Sequence, residues 1–240
     1  GATSAMAEHC ARAWLLAGAS DVVLLARNQE KLDRLSADLR VRAPDADISG
    51  EVVDFQDAAK ITRTVAAIGA SGAIDIALIA HGSLPDQDAC QDDLDACNEA
   101  LAVNGLSPVL FAEAFAQQMT AASKGTICII GSVAGDRGRK TNYVYGAAKG
   151  LVTRYAEGMQ HRLADSAVNV VLIKPGPTDT PMTAHLKSGG AKMAPVEDVA
   201  ADIVKAVEKA SPVVYTPFKW RIIMLIIQNM PRFIFNKLNI

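Results

Sequence analysis

The sequence predicts one α/β domain whose sheet is buried and parallel in character. Short apolar runs recur at Val22–Leu25, Ile74–Ile79, Ile127–Ile130 and Val170–Ile173, and stretches with helical apolar periodicity lie between them. Polar and glycine-bearing segments follow the runs directly, which is where open parallel sheets keep their ligand and catalytic groups. A length of 240 residues suits a single domain with a substantial core.

Taken in order, Gly1–Ser4 forms a turn before a helical pattern over Met6–Ala17. Backbone N–H groups at that helix start, with the Thr3 and Ser4 hydroxyls, are either an anion site or simply a cap. The strand Val22–Leu25 leads into Ala26-Arg27-Asn28 and a helix over Gln29–Leu39. Arg27 either meets a phosphate there or is a solvated arginine opening the helix. Ile48–Val53 alternates as a strand, and Asp54 or Asp57 after it has the chemistry of an N-cap. Ile74–Ile79 leads to Ala80-His81-Gly82, and one long helical pattern runs from Cys90 to Met119 with Asn104 inside it. Asn is unfavourable within a helix unless its amide has a task.

Ser132 closes the strand Ile127–Ile130, and Tyr145 and Lys149 follow at a spacing of i and i+4, on one helical face. A phenol beside an ammonium is a candidate acid/base, because a nearby positive charge favours its ionised form. Tyr143 lies six residues before Lys149 and points elsewhere on the helix. Asp136–Lys140, between Ser132 and Tyr145, reads as a solvated charge cluster or as a cationic rim able to attract a phosphate. Val170–Ile173 ends in Lys174-Pro175-Gly176. Met182–Ala194, with Gly189 and Gly190, has the composition of a substrate lid. A core-packing helix over Glu197–Ala210 precedes an edge strand at Val213–Tyr215.

Composition narrows the partners. A net charge of -2 gives no footprint for nucleic acid, and 50% hydrophobic residues favour a small or apolar partner. Cys10, Cys90, Cys97 and Cys128 form no Cys-x-x-Cys pair and lie near no histidine at metal-ligand spacing. They read as thiols of a reducing compartment, with no metal site.

In this order the motifs resemble the short-chain dehydrogenase/reductase family, over essentially the whole chain to about Pro217. The resemblance implies a Rossmann-type, doubly wound, mostly parallel sheet of about seven strands. It divides the chain into a nucleotide-binding and catalytic domain, 1–217, and an apolar C-terminal helical extension, 218–240. It implies reversible hydride transfer between a nicotinamide cofactor and a carbonyl or secondary alcohol. Tyr145 would exchange the proton, Ser132 would hold the oxygen, Lys149 would bind the ribose and lower the Tyr pKa, and Asn104 would bend its helix and sustain a proton relay.

Cofactor contacts are implied at Gly1, Thr3, Ser4, Arg27, Asp54, Gly82, Tyr145, Lys149, Pro175, Gly176 and Thr180. Asp54 would meet the adenine and Thr180 the carboxamide. Ala5 and Ala7 stand where the family's Gly-x-x-x-Gly-x-Gly turn has its later glycines, and Ala80 stands where many relatives have Asn. The absence of an acid at Arg27-Asn28 favours NADP(H) over NAD(H). The family's first strand would lie just before Gly1, so a short apolar segment is expected ahead of it. A homo-oligomer in the cytoplasm is the matching expectation.

The segment 218–240 carries Phe218, Trp220, the run Ile222–Ile227, Phe233, Ile234 and Phe235, with Lys219, Arg221, Arg232, Lys237 and no acid. Six consecutive apolar residues are far short of the roughly 20 that cross a bilayer. The segment either lies in a membrane interface or packs on its own domain or a second subunit. With Met182–Lys187 it also resembles those family members that reduce a 2-keto pentose carried on a polyprenyl phosphate. That implies a lipid-linked substrate whose phosphate meets Arg137–Lys140, and peripheral contact at the inner face of the membrane. The alternatives are a reductase of an acyl, steroid or other hydrophobic ketone and, from another class, a non-catalytic nicotinamide sensor, which would be expected to have lost Tyr145 or Lys149.

Overall fold

The computed structural model describes residues 1–184 and 192–238. Helices and strands alternate through most of it. In chain order they are α1 (Ala5–Leu16), β1 (Asp21–Ala26), α2 (Gln29–Arg42), β2 (Asp47–Val52), α3 (Ala58–Ser71) and β3 (Ile76–Ile79). Next come α4 (Gln87–Asp92), α5 (Leu94–Leu101), a π-helical turn (Ala102–Leu106), α6 (Ser107–Ala122), β4 (Gly125–Ile130), α7 (Tyr143–Arg162) and β5 (Val168–Pro175). The chain continues through α8 (Val196–Glu208), β6 (Val213–Thr216), α9 (Lys219–Asn229) and α10 (Arg232–Phe235).

Every strand pairing among the described residues is parallel, in the orders β1-β2 and β3-β4-β5-β6. Six strands are therefore present among the described residues, against the seven expected. β1 and β3 do not pair. An apolar slot of about 160 Å³ lies between them, lined by Ala7, Leu25, Ala77, Ile79 and Phe111.

Burial explains the apolar runs. β4 is buried from Thr126 to Ile130 and β5 is buried except at Asn169, because helices cover both faces. On one face Phe111, Phe115, Met119, Val152 and Met159 of α6 and α7 pack against Ile127, Ile129 and Leu172. On the other, Cys10 of α1 and Val199 and Ile203 of α8 pack against Cys128, Val171 and Ile173. Ser4, Asn28, Asp57 and Asp86 each accept a backbone N–H at a helix start. Because the strands run parallel, the segments leaving β1, β3, β4 and β5 all emerge on one edge, where the site forms.

The helical pattern within Cys90–Met119 is broken at Asp93, while the π turn at Asn104 agrees with the bend expected there. Asp93 caps α5, and the π turn inserts an extra residue at Asn104 before Pro108 opens α6. The tail is neither free nor wholly buried. Met224 is fully buried against the domain, while Phe218, Ile222, Leu225, Ile226, Phe233 and Ile234 remain exposed. No helix among the described residues is long and apolar enough to cross a membrane.

Candidate active site

A cleft of about 740 Å³ opens along the carboxyl edge of the sheet. Ser132, Tyr145, Lys149 and Asn104 all line it, as do Gly1, Thr3, Ser4, Arg27, Gly82, Pro175, Gly176 and Thr180. Residues scattered over the sequence thus share one wall system because parallel strands deliver their ends to one place.

Close backbone approaches fix the central group. The loop after Ser132 presses on α7 so tightly that a Cβ on Gly135 would lie 2.6 Å from the Lys149 carbonyl carbon. A Cβ on Gly146 would likewise lie 2.9 Å from the Ala134 carbonyl oxygen. Ser132 is therefore held beside Tyr145, close enough for its hydroxyl to favour the ionised phenol. The Ala134 N–H donates to Ser132 Oγ at 3.1 Å, which orients the hydroxyl further.

Lys149 is buried, and its ammonium donates to the Ile130 carbonyl at 2.9 Å. Burial lowers its pKa to about 8. The ammonium lies 5.9 Å from the centre of the Tyr145 ring. This corrects the expectation that Lys149 lowers the Tyr145 pKa. Burial instead pushes the phenol above its ordinary value, and the one opposing influence is the Ser132 hydroxyl. One of the ammonium's three protons goes to the Ile130 carbonyl.

Asn104 occupies the π turn, fully buried. Its Nδ2 donates to the Ala100 carbonyl at 2.9 Å and to Ser83 Oγ at 3.2 Å, and its Oδ1 accepts the Ser83 N–H at 2.8 Å. A Cβ on Gly82 would meet that Oδ1 at 2.9 Å, so only glycine lets the strand end pass so near. His81 is buried beside Phe55 and Phe111 and shares a 2.8 Å hydrogen bond with Ser107. Burial, with Lys149 and Arg27 adding, holds it well below the usual imidazole range, so it is neutral.

At the other end of the cleft, Gly1 leaves no room for a side chain: a Cβ there would lie 2.5 Å from the His81 nitrogen. Such a glycine-lined helix start fits the approach of a pyrophosphate. Ser4 Oγ accepts the Ala7 N–H at 3.2 Å and so acts as the cap of α1 as well. Arg27 lies in the cleft, but Asn28 rather than Arg27 opens α2, and Lys31 joins them. Asp54 is the exception among the expected contacts. It is exposed, lies outside the cleft lining and accepts the Gln56 N–H at 2.9 Å, while the neighbouring Phe55 reaches the wall. Thr180 pairs with Thr183 at 3.1 Å. The lid expected over Met182–Ala194 lies largely outside the described residues, as does the end of the Met182–Lys187 motif.

Lys31, Asn142 and Trp220 also line the cleft without having been singled out from the sequence, and so does Arg139 of the Arg137–Lys140 cations that were. Trp220 of α9 lies over Gly176, its Nε1 2.0 Å from where a Cβ would be. The C-terminal end of α9 is clamped by Arg137, whose Nη1 donates to the Ile227 and Met230 carbonyls, the latter at 2.7 Å. The same guanidinium lies 3.8 Å from the centre of the Phe235 ring. Arg137 is thus engaged by the tail and is not part of a cationic rim. Asp136 is likewise withdrawn, bound by Lys174 at 2.5 Å and by the Tyr215 hydroxyl at 2.8 Å.

The family model for the short chain dehydrogenases matches residues 1–190. The chain belongs to that family. It is an NAD(P)-dependent dehydrogenase/reductase. The oxidoreductase Rv2073c of Mycobacterium tuberculosis is 30% identical over 224 residues, covering 93% of this chain and 89% of that protein. An oxidoreductase of Streptomyces coelicolor, from the mprA 5' region, is 28% identical over 99% of this chain and 93% of its own. Among solved structures, a short-chain type dehydrogenase/reductase from Mycobacterium ulcerans superposes with a TM-score of 0.83 at 24% identity, over 94% of this chain and 88% of that one. An actinorhodin polyketide ketoreductase with NADPH gives a TM-score of 0.80 at 19% identity, covering 90% and 92%. A short chain dehydrogenase from Burkholderia cenocepacia in complex with NADP gives 0.82 at 19% identity, covering 100% and 95%.

Proposed function

We propose that this short-chain dehydrogenase reduces a carbonyl to a secondary alcohol, with Ser132, Tyr145, Lys149 and Asn104 as its working residues. The observation that carries the reading is the convergence of those four side chains in the cleft that also holds the glycine-lined helix start. Tyr145 donates its phenolic proton to the carbonyl oxygen. A phenol raised by burial stays protonated through the neutral range, which suits a donor. Ser132, fixed by the Ala134 N–H, holds the same oxygen. Lys149 and Tyr145 would hold the ribose, Asn104 would link Lys149 to solvent, and Thr180 would bind the carboxamide. When bound, the nicotinamide supplies the hydride.

NADP(H) is the favoured form. Arg27 and Lys31 both reach the cleft beyond β1, and no acidic residue among the described residues lines it. The solved relatives whose structures hold NADP or NADPH agree with that choice. A nicotinamide sensor is disfavoured, since Tyr145, Lys149 and Ser132 are all in place.

For the substrate, the reading is the 2-keto group of a pentose carried on a polyprenyl phosphate, with residues 1–217 as the catalytic domain and 218–240 as the element that meets the lipid. Its support is the exposed apolar face of Phe218, Ile222, Leu225 and Ile226, beside Lys219 and Arg221 on a helix whose other side brings Trp220 to the cleft. The other hydrophobic-ketone reading draws on the polyketide ketoreductase likeness. The test offers NADPH deuterated at the transferred position together with the lipid-linked keto-pentose and a short-chain analogue. The reading expects one deuterium at the new carbinol carbon and faster turnover of the long-chain compound in the presence of anionic liposomes. Equal turnover of both, with no liposome effect, would remove the lipid assignment and leave the carbonyl reduction standing.

A further inference from the structure

The loop between Ser132 and the start of α7 leaves two polar groups unsatisfied in the cleft wall. Arg139 Nε is buried with no hydrogen-bond partner among the described residues, and so is Asn142 Oδ1. Both residues line the cleft that contains Ser132 and Tyr145. An orphaned buried donor or acceptor is costly, and one facing a cleft is completed by whatever the cleft receives.

Neither group is orphaned for want of a neighbour. Asp136, three residues before Arg139, is the acid whose charge Arg139 feels, yet its two oxygens are taken by Lys174 and Tyr215. Asn142 stands at the N-cap of α7, where an Asn side chain ordinarily accepts a first-turn N–H. That service is given from outside: the Val144 N–H donates to Gln87 Oε1 at 3.1 Å. The fold therefore supplies substitutes that leave Arg139 and Asn142 free to face a ligand. Arg137, the other arginine of the loop, is committed to the tail.

We propose that Arg139 and Asn142 form the subsite for the non-reacting end of the substrate, and that this end is a hydroxylated anion. The chemistry follows from the two groups. A guanidinium partly removed from water, whose neighbouring Asp136 carboxylate is bound by Lys174 and Tyr215, is compensated by an anion, and the planar guanidinium fork matches two oxygens of a phosphate or carboxylate. An amide oxygen needs a donor, which a hydroxyl supplies. With the carbonyl at Ser132 and Tyr145, the substrate is a phosphorylated hydroxy-ketone, either free or esterified to a lipid. The inference rests on the carbonyl-reductase reading, and it also deepens that reading.

The probes are dihydroxyacetone, dihydroxyacetone phosphate and the decyl phosphodiester of the latter, used with the full chain. Binding of each to the NADP⁺-saturated protein is measured by calorimetry, and turnover is followed by NADPH oxidation. The phosphate should bind at least roughly tenfold tighter than the neutral ketone. Arg139→Gln should collapse that ratio, and Asn142→Ala should weaken all three hydroxy-ketones several-fold, with NADPH affinity retained in each variant. A diester that binds better than the monoester identifies the lipid-linked source, and the reverse identifies a free sugar-phosphate-like compound. No preference for the anionic probes in the unmutated protein, or an unchanged ratio in Arg139→Gln, overturns the subsite. Binding with that ratio but without turnover of any ketone would instead count against the reductase reading.

Discussion

Replacing Arg137 with Met tests whether the C-terminal helix is an integral wall of the site. Arg137 Nη1 donates to the Ile227 and Met230 carbonyls and stands at 3.3 Å from that of Gln228, all at the end of α9. Helix-end carbonyls lack intrahelical partners, so a cation there satisfies groups that water would otherwise solvate. One Nη1 carries two protons, so two of these contacts are strong. At the low end of charge-assisted bonds they contribute about 1.5 kcal/mol each, and the Phe235 contact adds about 0.5 kcal/mol at a half-exposed site. Discounting for solvent leaves about 2–3 kcal/mol for docking of the tail.

Met keeps much of the arginine stem's volume and removes every donor. In native-state hydrogen exchange the amides of α9 should therefore lose roughly thirty- to over a hundredfold in protection. Core strands β4 and β5 should keep theirs, since they do not depend on the tail. Turnover should show a raised KM, because Trp220 rides on α9 over Gly176. Unchanged protection across residues 219–229 would refute the clamp, and unchanged KM with lost protection would refute the role of Trp220 as a site wall.

Three further outcomes follow from named contacts. Lys174→Met strands the Asp136 carboxylate, which is 1% exposed, so urea denaturation should show a loss of about 3–5 kcal/mol, largely recovered by adding Asp136→Leu; a loss under about 1 kcal/mol would contradict it. Lys149 sheds its proton near pH 8 when folded but holds it to the ordinary 10.5 when unfolded. The unfolded state thus binds more protons between those values, and stability attributable to Lys149 should rise with pH across that window by up to about 3 kcal/mol. The check is the difference between the unmutated protein and Lys149→Met, and a flat difference from pH 8 to 10.5 opposes the burial account. Finally, NADPH should bind about tenfold more tightly than NADH, with Arg27→Ala removing most of the difference; equal affinities would reject the 2'-phosphate role.

How legible the molecule was depended on the range of the determining contacts. Strands such as Ile127–Ile130 and helices such as Met6–Ala17 were found nearly to the residue, because burial on both faces or one face writes a pattern along the chain itself. The helical pattern within Cys90–Met119 was read without its break at Asp93. Its interruptions come from Asp93 as a cap and from the Asn104 amide, which makes two tertiary bonds to Ser83 and one to the Ala100 carbonyl a turn back.

The catalytic spacing of Tyr145 and Lys149 was readable, but their electrostatics were not. The partner of the ammonium is the Ile130 carbonyl, nineteen positions away on another element. Arg137 and Arg139 are indistinguishable as neighbours in a basic loop. Their separate fates are decided by the tail and by Lys174. Asn142 did carry a usable hint, as an Asn directly before a helical pattern, but only the structure shows that Gln87 does its capping. Trp220 gave no sign of reaching the cleft, since its neighbour there, Gly176, is far away in sequence.

On the proposed reading, Tyr145 moves the proton that accompanies hydride transfer. This role is tested most directly by Tyr145→Phe, with NADPH affinity and single-turnover hydride transfer measured on the same preparation. The expected result is cofactor binding within a few-fold of the unmutated protein and loss of transfer by several orders of magnitude, because the phenol acts in the transition state. Transfer retained within about tenfold would contradict the assignment and move the proton donor elsewhere in the cleft.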